Sequence, residues 1–287
     1  MIAVLKHELS LYYHGITAYI FGAFLLVFTG LGALIYNINA SVANFEYVLG
    51  FISLVFIVVV PLLTMRIIAE ERKQKTDQLL YSLPISTTSV VIGKFIAMAI
   101  VYAVPMIIIA FYPLIFSKFG DVYLPTSYGS LFAFFLLGLA LMSIGMFISS
   151  LTESQGLSAG ICVAVMLLNY FSTTLADYVS STALSSFISL MVLAVLIALL
   201  LKLLTKSDYV AIGFGAAGII ASVVCYIVNP DMLEGLLPDI MNKLSLFERF
   251  DVFVNGIFDL TAVVYFISVM AFFLFLSVQS LEKRRYN

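Results

Sequence analysis

Residues 61–95, PLLTMRIIAEERKQKTDQLLYSLPISTTSVVIGKF, form the most densely charged long stretch of the 287-residue chain. An apolar run lies on each side, and each run is near the roughly 20 residues that a helix needs to cross a bilayer. Six charged side chains fall between Met65 and Lys75, although only 10% of the chain is charged. The sequence therefore predicts a charged cytoplasmic elbow, residues 66–94, between two membrane spans.

The composition excludes a soluble domain. Hydrophobic residues make up 63% of the chain and the mean hydropathy is +1.13, whereas soluble domains carry about 25% charged residues. These values predict an all-α, polytopic membrane protein whose 287 residues form a single transmembrane domain in the lipid bilayer. The net charge of −2 gives no argument for nucleic acid as a partner.

Eight apolar runs are each near the length of a membrane span. The weakest is the fifth, which is short, and a capping-box pattern of Thr152 and Gln155 predicts that its helix begins a few residues earlier. The eight runs are Ile16–Tyr36, Tyr47–Ile68, Phe95–Phe116, Tyr128–Leu151, Leu157–Leu175, Leu184–Leu204, Tyr209–Val228 and Thr261–Ser280.

The basic residues predict the orientation, because cytoplasmic loops carry an excess of Lys and Arg. Eight spans place both termini on one side, and a cytoplasmic location for both leaves eleven basic residues inside and three outside. The eleven are Lys6, Arg66, Arg72, Lys73, Lys75, Lys94, Lys202, Lys206, Lys283, Arg284 and Arg285, and the three are Lys118, Lys243 and Arg249.

Two segments outside the spans have helical periodicity. Residues 1–15 repeat apolar side chains in steps of three and four, which predicts an N-terminal helix lying in the membrane interface. Residues 229–260 form an acidic extracytoplasmic segment in which we expect short amphipathic helices, either plain interfacial helices or an outer gate. The candidates for the gate, or for contact with a partner, are Phe247, Phe250, Asp251 and Phe253.

Few polar groups lie within the spans. Asn169 is the candidate intramembrane polar contact, and a hydrogen bond between helices is its simplest interpretation. The small residues Gly138, Gly145 and Gly213 predict faces where helices approach closely, and Pro61 predicts a kink. The lack of ionisable residues at membrane depth argues against an ion-coupled carrier.

Catalytic patterns are missing from the sequence. It contains no phosphate-binding GxxxxGK[ST] loop, no HExxH, no GxSxG and no Cys/His spacing typical of a metal site. The sequence therefore predicts a non-enzymatic chain with no cofactor of its own, which must take energy for any active transport from another chain.

The elbow itself has two interpretations. Ile67–Leu80 is predicted to continue the second span as a helix whose charged residues meet water, Pro84 ends it, and Ser86 begins the next helix. Such an elbow is either an ordinary solvated loop or a docking surface for a protein.

Residues 66–95 resemble the segment after the second span of ABC-2 type permeases, with the pattern AEE-(R/K)-x-x-x-T-x-(E/D)-x-L-L-x-(S/T)-x-P-(V/I)-S. More narrowly, the chain is similar to the gliding-motility-type permease subfamily. The stretches LKHELSLYYHGITAYIF (5–21), GMFISSLTESQ (145–155), LSLFERFDVFVNGIFDLTAVVYF (244–266) and LFLSVQSLEKRRY (274–286) carry this similarity. The usual family pattern has six spans, and about 184–228 adds two here.

The resemblance implies the membrane permease subunit of an export-type ABC transporter in the plasma membrane of a prokaryote. Two permease chains, as a homodimer or a heterodimer, would pair with two ATP-binding subunits that hold ATP and Mg²⁺, and an accessory membrane protein with an extracytoplasmic domain accompanies many members. The contact with the ATP-binding subunit is then expected at Glu70, Glu71, Arg72, Lys73, Thr76, Asp77, Leu79, Leu80 and Pro84.

Two functions share this elbow. In the first, ATP hydrolysis by the partner moves a hydrophobic or amphiphilic substrate across the membrane. In the second, the chain is a membrane anchor that transmits movement to an extracytoplasmic partner without carrying cargo.

Overall fold

The computed structural model describes residues 1–76, 86–205, 208–228 and 230–285. Every regular element in these ranges is helical, which confirms the all-α prediction. A π-helix (Ala33–Asn39) extends α2 and a 3₁₀ helix covers Pro230–Leu233. The α-helices are α1 (Ile2–His14), α2 (Thr17–Gly32), α3 (Glu46–Ser53), α4 (Phe56–Thr64), α5 (Ala69–Gln74), α6 (Thr87–Ile109), α7 (Phe111–Phe116), α8 (Leu124–Leu151), α9 (Gln155–Tyr178), α10 (Ala183–Thr205), α11 (Asp208–Val228), α12 (Leu236–Leu244), α13 (Leu246–Val254) and α14 (Leu260–Arg285).

Within the described residues, five helices are long and apolar enough to cross a membrane, and the bent pair formed by Glu46–Ser53 and Phe56–Gln74 makes a sixth if it is one span. The other two predicted spans correspond to α10 and α11, whose apolar described stretches, Ala183–Leu196 and Ile212–Ile227, are shorter. Five or six of the eight predicted spans are thus supported. The count of eight stays a prediction.

The described chain divides into two compact units. Unit 1 comprises Met1–Leu168 with Arg249–Asn287, and unit 2 comprises Asn169–Glu248. Unit 2 contains α10 and α11, the two helices that the sequence adds to the six-span family pattern. The extra helices therefore lie in unit 2, together with the end of α9, the 3₁₀ helix, α12 and the start of α13.

The centre of unit 1 is α8, most of which is buried. Its small residues let neighbouring helices approach: a Cβ atom on Gly138 would lie 2.6 Å from the ring of Tyr102, and one on Gly145 would collide with Thr64. Tyr102 is fully buried and donates its hydroxyl hydrogen to the carbonyl of Phe134 at 2.9 Å. The predicted close approach at both glycines is confirmed.

The predicted second span is broken, but not at Pro61. The helix axis bends by 61° between its two parts, Glu46–Ser53 and Phe56–Gln74. Between them the N–H of Val55 donates to the carbonyl of Ile52 at 2.9 Å. This bond spans three residues, as in a 3₁₀ helix, and is tighter than the four-residue spacing of an α-helix. Pro61 lies inside α4, which continues past it. The 61° bend therefore lies at the tightened turn, before Pro61, and a kink at Pro61 itself stays a prediction.

In unit 2, α10 and α11 pack along small residues. Cβ atoms added to Gly215 and Gly218 would lie 3.0 and 2.9 Å from the Cβ atoms of Ala198 and Ala194. Gly213, which we predicted to lie on a face of close helix approach, has open space instead, because a Cβ atom added there would meet no atom of the described residues within 4 Å. The close face of α11 is thus offset from the predicted one.

The Gly145 contact gives a testable prediction. In Gly145→Ala the new methyl group meets Thr64, so α4 and α8 must separate or Thr64 must move. Overpacking of this kind costs about 1–3 kcal/mol. We expect a lower melting temperature in detergent, measured by loss of the monodisperse chromatographic peak. Gly160→Ala is the control, because its Cβ position is open, and an equal loss there would contradict the account.

Candidate functional site

The turn that precedes α5 is held by Ser149 at the end of α8. The N–H groups of Ile68 and Ala69 donate to Ser149 Oγ at 3.2 and 3.1 Å, and this hydroxyl donates to the carbonyl of Met65 at 3.3 Å. The first N–H groups of a helix have no partner within that helix. Ser149 supplies one and so fixes where α5 leaves the membrane bundle.

A buried ion cluster joins three helices at the same place. Lys94 Nζ on α6 donates to Glu8 Oε1 on α1 at 2.6 Å, to Glu71 Oε1 on α5 at 2.7 Å and to the carbonyl of Ile67 at 3.0 Å. The side chain of Lys94 is 1% exposed, that of Glu8 6% and that of Glu71 24%. An ammonium group has three donors, and all three are used. We call these four residues the Lys94 cluster.

Helix α1 docks against α6 and α4 through one face. A Cβ atom on Gly93 would lie 3.3 Å from Val4, so the glycine allows α1 to come close. Tyr12 lies on the same face of α1 as Val4 and Glu8. It donates its hydroxyl hydrogen to the carbonyl of Leu63 at 3.1 Å. Burial, together with the charge of Glu8, raises the pKa of Tyr12 far above its usual value. The phenol therefore stays a neutral donor.

The face of α1 that contacts the protein only partly coincides with the predicted apolar stripe. Of the five residues of that stripe, Tyr12 is buried, Leu5 and Leu9 are half-buried, and Ile2 and Ile16 are 65% and 70% exposed. The buried positions of α1 are Val4, Glu8 and Tyr12. The buried face is therefore offset from the predicted stripe, and it includes an acidic residue.

Helix α5 is shorter than the predicted elbow helix. It ends at Gln74, and Lys75 adopts a left-handed conformation with φ of 57°. The N–H of Lys75 then bonds the carbonyl of Arg72 at 3.1 Å and that of Thr76 bonds the carbonyl of Glu71 at 3.0 Å, a pattern typical of helix C-termini. A continuous helix to Leu80 is therefore wrong.

The predicted contact residues divide into two groups. Arg72 is only 5% exposed and Glu71 is in the Lys94 cluster, so the expectation that both face water freely is wrong. The described end of the elbow presents Lys73, Gln74, Lys75 and Thr76, which are exposed. Four predicted contact residues lie outside the described residues: Asp77, Leu79, Leu80 and Pro84.

Glu70, the first predicted contact residue, is half-buried at the side of α5. Arg66 Nε and a second guanidinium nitrogen donate to its two carboxylate oxygens at 2.8 and 3.1 Å. Arg66 also reaches the hydroxyl of Thr17 at 3.2 Å. This partly exposed pair, four residues apart in the sequence, lies at the side of the elbow, and such pairs contribute little to stability.

The end of α14 lies at the same end of unit 1. Thr87 at the start of α6 donates to Glu282 Oε1 at 2.8 Å, and Arg284 donates to Glu153 Oε1 at 2.8 Å. The hydrogen bond from Arg284 lowers the pKa of Glu153. Ser86 begins α6 as predicted, since its hydroxyl accepts the N–H of Ser89 at 3.3 Å.

The phenylalanines proposed for an outer gate are buried. Phe250 and Phe253 are 0% and 1% exposed, and Phe250 packs against Phe134 with ring centroids 5.6 Å apart. Phe247 is 4% exposed, and only Asp251 of the four is exposed. The phenylalanines therefore do not form an exposed contact surface for a partner. Their role as a gate stays a prediction.

Asn169 is a structural residue of unit 2. Its amide nitrogen donates to the carbonyl of Leu244 at 3.3 Å, and its amide oxygen accepts the N–H of Leu246 at 3.0 Å. These bonds join α9 to the turn between α12 and α13, the two short helices predicted in residues 229–260. Asn169 thus bonds the backbone of a turn, and a hydrogen bond from it to another span stays a prediction.

Sequence reasoning missed Glu8, Lys94 and Ser149 as site residues. A signal was present for two of them: Glu8 lies four residues from both Val4 and Tyr12, and Lys94 lies inside an apolar helix, where a charge needs a partner. The role of Ser149 depends on a turn in the backbone of residues 65–68, and nothing in the side-chain pattern indicates that turn.

The architecture described so far is that of a helical membrane protein with a charged elbow fixed to its bundle. The family model for the ABC-2 family transporter protein matches residues 9–280, and the chain therefore belongs to this family. It is accordingly a membrane permease subunit of an ABC transporter, a class of membrane component that works with an ATP-binding subunit. Comparison with curated proteins gives no match.

Ser149→Ala tests the anchoring of α5. The change removes the acceptor of two buried N–H groups, and each unsatisfied group costs about 1–3 kcal/mol. We expect faster hydrogen exchange at Ile68 and Ala69, measured by mass spectrometry. Ser143→Ala is the control in the same helix, because the Ser143 hydroxyl donates to the carbonyl of Ala140 within α8. Unchanged exchange at Ile68 and Ala69 would contradict the proposed anchoring.

Proposed function

We propose that this chain is the permease subunit of an export-type ABC transporter of the gliding-motility type, and that its elbow receives the movement of a separate ATP-binding subunit. The proposal depends chiefly on one observation: the exposed end of α5 is built directly on the buried Lys94 cluster, in a chain that matches the ABC-2 family over residues 9–280. The ATP-binding subunits hold the ATP and Mg²⁺, two copies per complex.

The docking surface that we propose begins at Lys73 and continues through Thr76. These residues are exposed, and Lys73 and Lys75 make the surface basic. Glu71 and Arg72 act beneath the surface, since the first is held by Lys94 and the second is buried. This division supports a contact in which residues 73–76 touch the partner. Glu71 and Arg72 would then transmit movement of the elbow to the membrane helices.

The arrangement of unit 1 supports cytoplasmic termini. The contacts of Lys94 with Glu8 and of Thr87 with Glu282 bring α1, the elbow and the end of α14 to one end of the unit. That end also carries most of the basic residues of unit 1, as the positive-inside rule requires of a cytoplasmic face. We propose accordingly that residues 66–94 form the cytoplasmic elbow and that residues 229–260 lie outside.

The rest of the assembly is proposed by family resemblance. It comprises a second permease chain, identical or related, eight spans in each chain including α10 and α11, and the plasma membrane of a prokaryote as its location. An accessory membrane protein would meet the external segment, where Asp251 is exposed.

The interior of unit 1 supports a hydrophobic or amphiphilic substrate. The core around α8 is built mainly from Leu, Met, Ala and Phe side chains. Buried polar groups there bond within the protein: Ser143 bonds its own helix at Ala140, and Ser127 donates to Glu46 at 2.9 Å. A hydrophilic substrate would need polar groups along its path. The same close packing also favours the alternative function, in which the bundle transmits movement to an external partner without cargo.

Co-purification tests the docking surface. Lys73→Glu with Gln74→Glu reverses the charge of the exposed end of α5 while leaving the Lys94 cluster intact. From native membranes in mild detergent, we expect the wild-type chain to bring an ATP-binding subunit with it. The double variant should recover about tenfold less of the ATP-binding subunit. A partner surface that complements the basic residues would be acidic, and the new glutamates would repel it.

The control is Ser117→Glu with Lys118→Glu, which makes the same kind of charge change at exposed residues of the predicted outer end. Recovery should be unchanged in this control. An ATP-binding subunit that never accompanies the wild-type chain would contradict the proposed function. Equal recovery with both double variants would contradict the proposed surface.

A further inference from the structure

We infer that Lys94 is the positioning residue through which movement of α5 reaches both α1 and the membrane span α6. This inference rests on the proposed function, because it concerns how the elbow transmits the movement of the ATP-binding subunit. It assigns the coupling step to one side chain, which lies beneath the docking surface and touches no partner.

The geometry of Lys94 bonds α1, α5 and α6 together through one atom. Its Nζ donates to Glu8, Glu71 and the carbonyl of Ile67, at 2.6, 2.7 and 3.0 Å. The third bond reaches the turn that precedes α5. The elbow is thus held at its base and on its first turn by the same group.

The charges of the cluster make this link difficult to replace. Two carboxylates share one ammonium, and the side chain of Lys94 is 1% exposed. Without Lys94 the carboxylates of Glu8 and Glu71 would lose their common partner, and Glu8, whose side chain is 6% exposed, has little access to water. Loss of the lysine therefore removes the bonds that hold α1 and α5 to α6, whereas loss of a more exposed pair removes only a weak attraction.

The position of Lys94 in the chain explains why movement would continue into the membrane. Lys94 lies in the second turn of α6, which runs unbroken from Thr87 to Ile109. Val4 of α1 lies so close to its neighbour Gly93 that a Cβ atom there would be 3.3 Å from it. A force on the exposed end of α5 is therefore applied, through one ammonium, to a helix long enough to cross the bilayer.

The first test uses the permease alone in lipid nanodiscs, with hydrogen exchange of α1 and α5 as the measurement. Glu8→Gln should raise exchange in α1, Glu71→Gln should raise it in α5, and Lys94→Met should raise it in both, by about tenfold or more. Arg66→Gln is the control, because it removes the more exposed pair with Glu70 beside the same helix. It should change exchange little.

The second test uses the complex with its ATP-binding subunit and compares exchange in α6 with and without ATP and Mg²⁺. In the wild type we expect ATP to change exchange at the start of α6. Lys94→Met should lose this response while ATP hydrolysis continues, and Lys94→Arg should retain it. If Lys94→Met does not fold, Glu8→Gln and Glu71→Gln replace it in this test. At least one of them must then reduce the ATP-dependent change in exchange at the start of α6.

The outcomes separate this inference from the proposed function. An ATP response of α6 that persists in Lys94→Met, or in both glutamine variants, would overturn the inference and leave the permease function standing. Unchanged exchange in all three variants of the isolated permease would also overturn it. Absence of any ATP-binding subunit would instead overturn the proposed function, and the nanodisc experiment would still measure the link.

Discussion

The positions of α1 and α5 in unit 1 depend on one buried ammonium group. Lys94 Nζ bonds carboxylates from Glu8 and Glu71, which belong to helices far apart in the sequence. A charge without partners would be very costly at this burial. Because its partners lie on α1 and α5, the need to satisfy Lys94 also determines where the N-terminal helix and the elbow must lie.

The buried helix α8 provides the second constraint. Gly138 and Gly145 admit Tyr102 and Thr64 at very short range, so the helices around α8 have little freedom to shift. At its end, Ser149 holds the turn into α5. The elbow is therefore supported from two sides, by a hydroxyl on α8 and an ammonium on α6, and its exposed end is the part left for a partner.

Sequence patterns predicted the helices well because apolar length and periodicity are local properties. The cap at Ser86 and the close packing at Gly138 followed from the same kind of local rule. The site was harder to predict because its chemistry depends on tertiary contacts. Arg72 and Glu71 look like solvent-facing charges in the sequence, yet one is buried and the other is paired with Lys94. The early end of α5 at Lys75 was likewise hard to predict, because residues 70–78 are all polar and include no Gly or Pro to mark a helix end.

The most direct test of the account is a charge exchange between Glu8 and Lys94. Each single reversal, Glu8→Lys or Lys94→Glu, puts like charges together beside Glu71 and should lower the melting temperature of the protein in detergent. The double variant again contains one base and two acids, and we expect it to recover much of the loss, since contacting residues couple by about 0.5–3 kcal/mol. A double variant as unstable as the sum of the two single changes would contradict the central role of the Lys94 cluster.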